Sequence, residues 1–240
     1  MARRLFFVPE VRNGRAEILD DDAAHLTCVL RVEAGERFEI SDNLNVYLAE
    51  VEVARKQRVV FRTLERLPAV EPPVRLALFA ALVKFDHFEW IVEKATELGV
   101  ETIVPVAAAR SEKGLEQAAL RRIGRWRRIA LEASQQSRRA RLPELEPPAS
   151  FAGAIVRVAT HRYLLEEASG APPMLTSFPE RRIASDEIAI LVGPEGGWTD
   201  EERERIMLAG WRAVSLGPLI LRSETAALAA LALVSCAWQG

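Results

Sequence analysis

Two glycine-proline breaks in the last fifty residues carry the side chains best suited to chemistry. The first, Gly193-Pro194-Glu195-Gly196-Gly197, follows a short apolar, β-branched run at 188–192. The run reads as a buried strand and the break as a tight loop. Thr199, with Glu202 three residues on, has the spacing of a capping box opening a helix over 201–208. Strand, glycine loop and helix N-terminus together offer bare backbone N–H groups to an adenosine-type ligand at close range. A single such loop is equally a plain strand-to-helix turn. A second follows, however: an apolar strand at 211–216, the break Gly217-Pro218, then Leu219 to Leu221 leading into Arg222-Ser223-Glu224-Thr225. Arg222 supplies a cation that keeps its proton, suited to a developing anion or a phosphate. It would serve equally in a structural salt bridge with Glu195 or Glu224. Glu195 can take a proton or balance a ligand's positive charge.

These residues need a frame. Ser223 can cap a long helix over 224–238, whose sequence AALAALALVSCAW is apolar almost all round and must be buried in a core or against a second subunit. Upstream, strand 74–82, helix 85–98, strand 102–106 and helix 115–138 alternate. That alternation predicts an α/β domain with a parallel sheet covered on both faces. Residues 149–187 are ambiguous, and hydropathy makes 155–159 a strand. Pro68, Pro72 and Pro73 stiffen a connector. They divide the chain into a β-rich unit over 1–70 and an α/β unit over 73–240. The first unit shows strand-like runs at 5–8, 16–19, 37–40, 46–53 and 58–64. A helix over 20–31 interrupts them, with Asp20 or Asp21 as its cap.

The 240 residues suffice for a large core, and a net charge of −2 gives no global sign of a nucleic-acid partner. Cys28 and Cys236 lie far apart in apolar or helical contexts, which predicts reduced core thiols, no metal site and a cytoplasmic location. No stretch reaches the length of a membrane span.

The motifs VGPEGG and LGPLILRSETAALAAL, preceded by KFDHFEWIVEKATELGVETIVP, resemble the RsmE-type uridine N3-methyltransferases of 16S ribosomal RNA, in the knotted SPOUT class. The resemblance runs from Arg3 to Trp238. It implies a PUA-like barrel for RNA docking, a SPOUT domain with a C-terminal trefoil knot, and S-adenosylmethionine as methyl donor. It also implies 16S ribosomal RNA within the small subunit as substrate, and a homodimer that buries the last helix. Cofactor contacts would come from Glu166, Leu191, Gly193, Pro194, Gly196, Leu216, Gly217, Leu219, Leu221, Ser223, Glu224 and Thr225. Arg222 and Glu195 would be catalytic. By the same resemblance 149–158 is a helix, 161–166 a strand facing the cofactor and 169–186 a variable loop. In the barrel, His25 and Arg31 match family positions, and Ser41-Asp42-Asn43-Leu44-Asn45 replaces a glycine-rich turn that Asn and Asp can still make. Leu219 stands where arginine is frequent. It is the one hint of an alternative, a non-catalytic ribosome-assembly factor. A nucleotide-dependent dehydrogenase is disfavoured, because no G-x-G-x-x-G follows the first strand of the sheet.

Positive charge concentrates in helix 115–138 and its tail. Arg121, Arg125 and Arg128 share one face at i, i+4 and i+7, Arg138 follows, and Glu132 is the single acid after Glu116. This predicts RNA contact along a stripe rather than a merely solvated face. Arg3, Arg4, Arg12 and Arg15 form a second basic area. With basic areas in both units, a cleft gripping structured RNA is expected. The lone histidines His25, His87 and His161 read as structural or surface residues, and most tryptophans as core, with Trp198 walling the ligand loop.

Overall fold

A computed structural model describes residues 4–167 and 170–239, so Arg3 lies outside the described residues. The chain divides into two compact units, 1–71 with 134–142, and 72–133 with 143–240. The segment 134–142 therefore groups with the barrel instead of the α/β unit.

The first unit holds β1 (Leu5–Phe7), β2 (Arg15–Leu19), α1 (Asp20–Ala24), β3 (Arg37–Ser41), β4 (Val46–Arg55) and β5 (Arg58–Leu67). Its sheet has the order β1-β3-β4-β5-β2. Only the β1–β3 pairing is parallel. Alternation supplies the core: Ala16 and Ile18 of β2 meet Val51, Val59 and Phe61 inside, with Phe6 and Ile40. Asn43 takes φ 68°, while Asp42 Oδ1 accepts from the N–H groups of Leu44 and Asn45, so the turn is made without glycine. The continuous helix expected over 20–31 is not formed. α1 stops at Ala24 and a π-helical turn covers His25–Val29. Asp20 does not cap it by side chain: it lies at φ 54°, and Leu19 is the capping position.

The second unit holds β6 (Arg75–Ala81), α2 (Phe85–Glu97), β7 (Thr102–Ala107), α3 (Leu115–Ser137), β8 (Glu144–Leu145), β9 (Ala149–Ser150), α4 (Phe151–Ile155), β10 (His161–Leu165), β11 (Glu187–Val192), α5 (Asp200–Leu208), β12 (Arg212–Val214) and α6 (Ser223–Trp238). Every pairing in its sheet is parallel, in the order β12-β10-β11-β6-β7-β8, with β9 also on β7. The strands read as apolar runs because both faces are covered. Leu76, Leu78, Ile188 and Ile190 pack with α2, α3 and α6 on one side. Phe79, Val104, Leu164, Ala189 and Leu191 pack with Trp198, Ile206 and Trp211 on the other. The strand that hydropathy suggests at 155–159 is absent; α4 ends at Ile155 instead, capped by Ser150 Oγ, which accepts from Gly153 N–H. Among the described residues no helix is long and apolar enough to cross a membrane.

Two thiol expectations change. Cys28 and Cys236 are both exposed, because each points away from its element's packed face.

Candidate active site

A cavity of about 620 Å³ opens where β6, β10, β11 and β12 end. Such crevices beyond the carboxyl ends of parallel strands are the usual ligand positions of open α/β sheets. Its walls are the start of α2 with its capping residue Lys84 and His87, the end of β10 with Leu165 to Glu167, and the two glycine loops.

The first loop is built around Trp198, which is 2% exposed. A Cβ on Gly193 would sit 2.9 Å from the Trp198 Nε1, so only glycine lets the indole close under the loop. Gly197, at φ 66°, donates from its N–H to the carbonyl of Pro194 at 2.8 Å. Arg110 Nη1 donates to the carbonyl oxygens of Gly196 and Trp198. The capping box forms as its spacing predicts: Thr199 Oγ1 accepts from Glu202 N–H, and Glu202 Oε2 accepts from Thr199 N–H. Glu202 is buried and takes a further bond from Ala109 N–H, which ties α5 to the end of β7.

In the second loop Gly217 takes φ 133°, and its N–H donates to Ser215 Oγ. Ser223 does not cap α6 as expected. Arg222 holds the capping position, without a side-chain cap bond, and Ser223 is the first helical residue. Its hydroxyl donates instead to the Gly193 carbonyl at 2.7 Å, which joins the two glycine loops.

Of the predicted cofactor residues, Glu166, Gly193, Pro194, Leu216, Gly217, Leu219, Leu221 and Ser223 line the cavity, as do Glu195 and Arg222. Leu191, Gly196, Glu224 and Thr225 do not. Leu191 faces the core, Gly196 packs on Arg110, and Thr225 is exposed. Glu224 is buried, 3.7 Å from His87 Nδ1. Glu166 is held by Arg203 Nε at 2.8 Å, and that bond is the main reason the guanidinium's pKa lies above its ordinary value. Arg222 forms neither ion pair offered by Glu195 or Glu224, and among the described residues its guanidinium has no partner. Leu219 and Ile220 form an exposed apolar rim.

Sequence reasoning passed over Lys84 and read His87 as a structural or surface residue. The available signal was their position directly after β6, beside β11 in the sheet.

The basic stripe differs from expectation. Arg125 grips Glu89 of α2 through Nε and Nη2, at 2.7 and 2.8 Å, and Arg122 shares the same carboxylate. Arg128 pairs with Glu132. Of the two acids that neutralise the stripe, Glu89 thus comes from a neighbouring helix and Glu132 from α3 itself, and Arg121 is left exposed without a pair among the described residues. In the first unit Arg138 pairs with Glu39, Arg12 with Glu10 and Arg15 with Glu52, while Arg4, His25 and Arg31 are exposed.

The fold and cavity define a parallel-sheet RNA methyltransferase: residues 70–235 match the RNA methyltransferase domain family, and 18–64 match the RNA methyltransferase PUA domain. Ribosomal RNA small subunit methyltransferase E of Synechocystis is 32% identical over 98% of this chain and 78% of its own length. The enzyme of that name from Aquifex aeolicus is 29% identical over 95% of this chain and 97% of its own. The crystal structure of the Neisseria gonorrhoeae enzyme of that name, bound to S-adenosyl methionine, superposes with TM-score 0.87 at 30% identity, covering 99% of this chain and 98% of the other. A methyltransferase of Legionella pneumophila, solved with the same cofactor, superposes at 0.89 with 27% identity and the same coverage. The chain belongs to the ribosomal RNA small subunit methyltransferase E family.

Proposed function

We propose that this protein transfers the methyl group of S-adenosylmethionine to N3 of a uridine in 16S ribosomal RNA. The observation that carries the reading is the cavity itself, lined by two glycine loops that are joined through Ser223 and Gly193 and by Arg222, whose guanidinium has no partner among the described residues. The residues present fit the donor. Leu165, Val192, Leu216 and Leu221 give apolar walls for an adenosine, loop backbone groups can meet its polar edge, and Glu166, Glu167 and Glu195 suit a sulfonium cation and hydroxyls. When bound, the cofactor supplies an electrophilic methyl group. The protein's tasks are then to hold the uracil so that N3 faces that methyl, to accept the N3 proton, and to stabilise the anion left behind. Arg222 suits the last, as a fixed donor that does not deprotonate. Glu166, oriented by Arg203, suits the cofactor side. The trefoil threading of the C-terminal loops belongs to the same reading.

RNA would be met by the barrel through Arg3, Arg4, His25 and Arg31 and by the exposed part of the α3 stripe, in the small subunit within the cytoplasm. The protein would work as a homodimer, because Thr225, Ala229, Ala232 and Cys236 make a small-residue, mostly apolar face on α6 that stays exposed or half-exposed. Sedimentation at micromolar concentration should give a dimer; a monomer alone would refute that part.

The test of function is methyl transfer from labelled S-adenosylmethionine to 16S RNA or small subunits, followed by nucleoside mass analysis. N3-methyluridine is the expected product. Tight cofactor binding with methylation of another position would overturn the N3 assignment, and no binding would overturn the whole reading.

A further inference from the structure

Three polar side chains from three separate elements converge beside the cavity. His87, on the first turn of α2, places Nδ1 3.4 Å from Glu195 Oε1 in the first glycine loop and 3.7 Å from Glu224 Oε1 at the start of α6. Among the described residues, His87 Nδ1 and Glu224 Oε2 are both buried without a hydrogen-bond partner, and the Glu224 side chain is 8% exposed. Leaving two such atoms unsatisfied is costly in a fold that needs them only for packing. Glu195, by contrast, lines the cavity with its side chain half in solvent. The remaining charges around the imidazole are Asp86, 3.7 Å from Nε2, and Lys84 and Arg222 on the cavity wall.

We propose that Glu195 is the proton acceptor of the methyl transfer and that His87, anchored by the buried carboxylate of Glu224, is the residue that positions it. The inference rests on the reading of N3 methylation above. With its hydrogen on Nδ1, the tautomer two facing carboxylates demand, the imidazole donates toward Glu195 and turns the other carboxylate oxygen to the substrate. Catalytic hydrogen bonds are commonly long in the free enzyme and shorten once substrate seats. In the step, the N3–H bond breaks and its proton goes to Glu195. The N3 electron pair forms the new bond to the methyl carbon, and the carbon–sulfur pair stays with sulfur. Glu195 then returns the proton to water, which its exposure permits. His87 and Glu224 change no bonds.

The experiment compares kcat against pH for the full-length enzyme and variants on 16S RNA. His87→Phe should lower kcat about 10²-fold near neutrality, the lower end of what general-base catalysis contributes. The deficit should shrink by up to about tenfold per pH unit as more uracil arrives already ionised and needs no base. Glu195→Gln should show the same slope, which keeps the test alive if His87→Phe fails to fold. His87→Gln, whose amide can still donate to Glu195, should recover part of the rate. Adding His87→Phe to Glu195→Gln should cost nothing further, since the two act as one unit. Cofactor affinity by calorimetry should be unchanged in the His87 variants. A deficit independent of pH, or additive losses, would overturn the positioning role. A wild-type enzyme that binds the cofactor yet makes no N3-methyluridine would instead overturn the functional reading beneath it.

Discussion

Arg222 at the cavity and Arg125 on α3 are the same side chain in opposite states. Arg125 is two-thirds exposed yet holds Glu89 in a two-point fork, with Arg122 on the same carboxylate and over the ring of Phe85. Arg222 is exposed as well and, among the described residues, holds nothing. A paired guanidinium must break its pair, or share it, before it can meet a phosphate. A partnerless one leaves no stranded carboxylate when it turns to substrate. Clustered arginine therefore marks a binding surface less reliably than a single arginine that the fold pins and leaves unpaired.

The contrast can be broken most sharply at Arg222. Arg222→Ala should lower methyl-transfer kcat by about 10²-fold or more, the scale of losing an oxyanion donor. Calorimetric affinity for S-adenosylmethionine should barely move; its loss would make Arg222 structural. The packing of the first glycine loop is tested by Gly193→Ala, where the added Cβ meets Trp198 Nε1 at 2.9 Å. Overpacking of this kind costs about 1–3 kcal/mol. Denaturant unfolding should show that loss together with weaker cofactor binding, and a neutral result would mean that the indole moves freely. On α3, Arg121→Ala should flatten the salt dependence of RNA binding by up to about 0.9 log units, one phosphate contact's worth. Arg125→Ala should flatten it less. Equal slopes would show that the fork opens for RNA.

The smallest effect is on stability. The hydrogen bond from Arg125, ahead of the opposing effect of burial, holds the Glu89 carboxyl below its ordinary range. A carboxyl whose pKa is depressed by folding contributes stability above its unfolded pKa and loses it as pH falls through the folded one. Arg125→Ala should therefore destabilise slightly at pH 7, and the difference from wild type should fade in acid. A difference that stays constant with pH would mean that the lost stability comes from packing.

Much of the fold was legible. The period of the α/β unit, the strand read at 188–192 and found at Glu187–Val192, and the capping box of Thr199 and Glu202 depend on neighbours a few residues away. The helix over 20–31 was misread, because apolar spacing does not distinguish an α-helix from one that widens into a π-turn at His25. Ser223 was misread as a cap because an isolated hydroxyl before a helix usually accepts from its own first turn, whereas here it donates a hydrogen bond to the Gly193 carbonyl.

Sequence alone determined the two glycine loops, the cation that follows the second and the family resemblance, all carried by residues adjacent in the chain. Tertiary structure decided that Glu89 neutralises Arg125 and that His87 stands between Glu195 and Glu224. The members of each set lie on different elements, and only the order of the parallel strands, with β6 beside β11, sets the distances between them. Charge and hydrogen bonding act through space over a few ångströms, and no local pattern encodes a meeting between residues more than thirty positions apart.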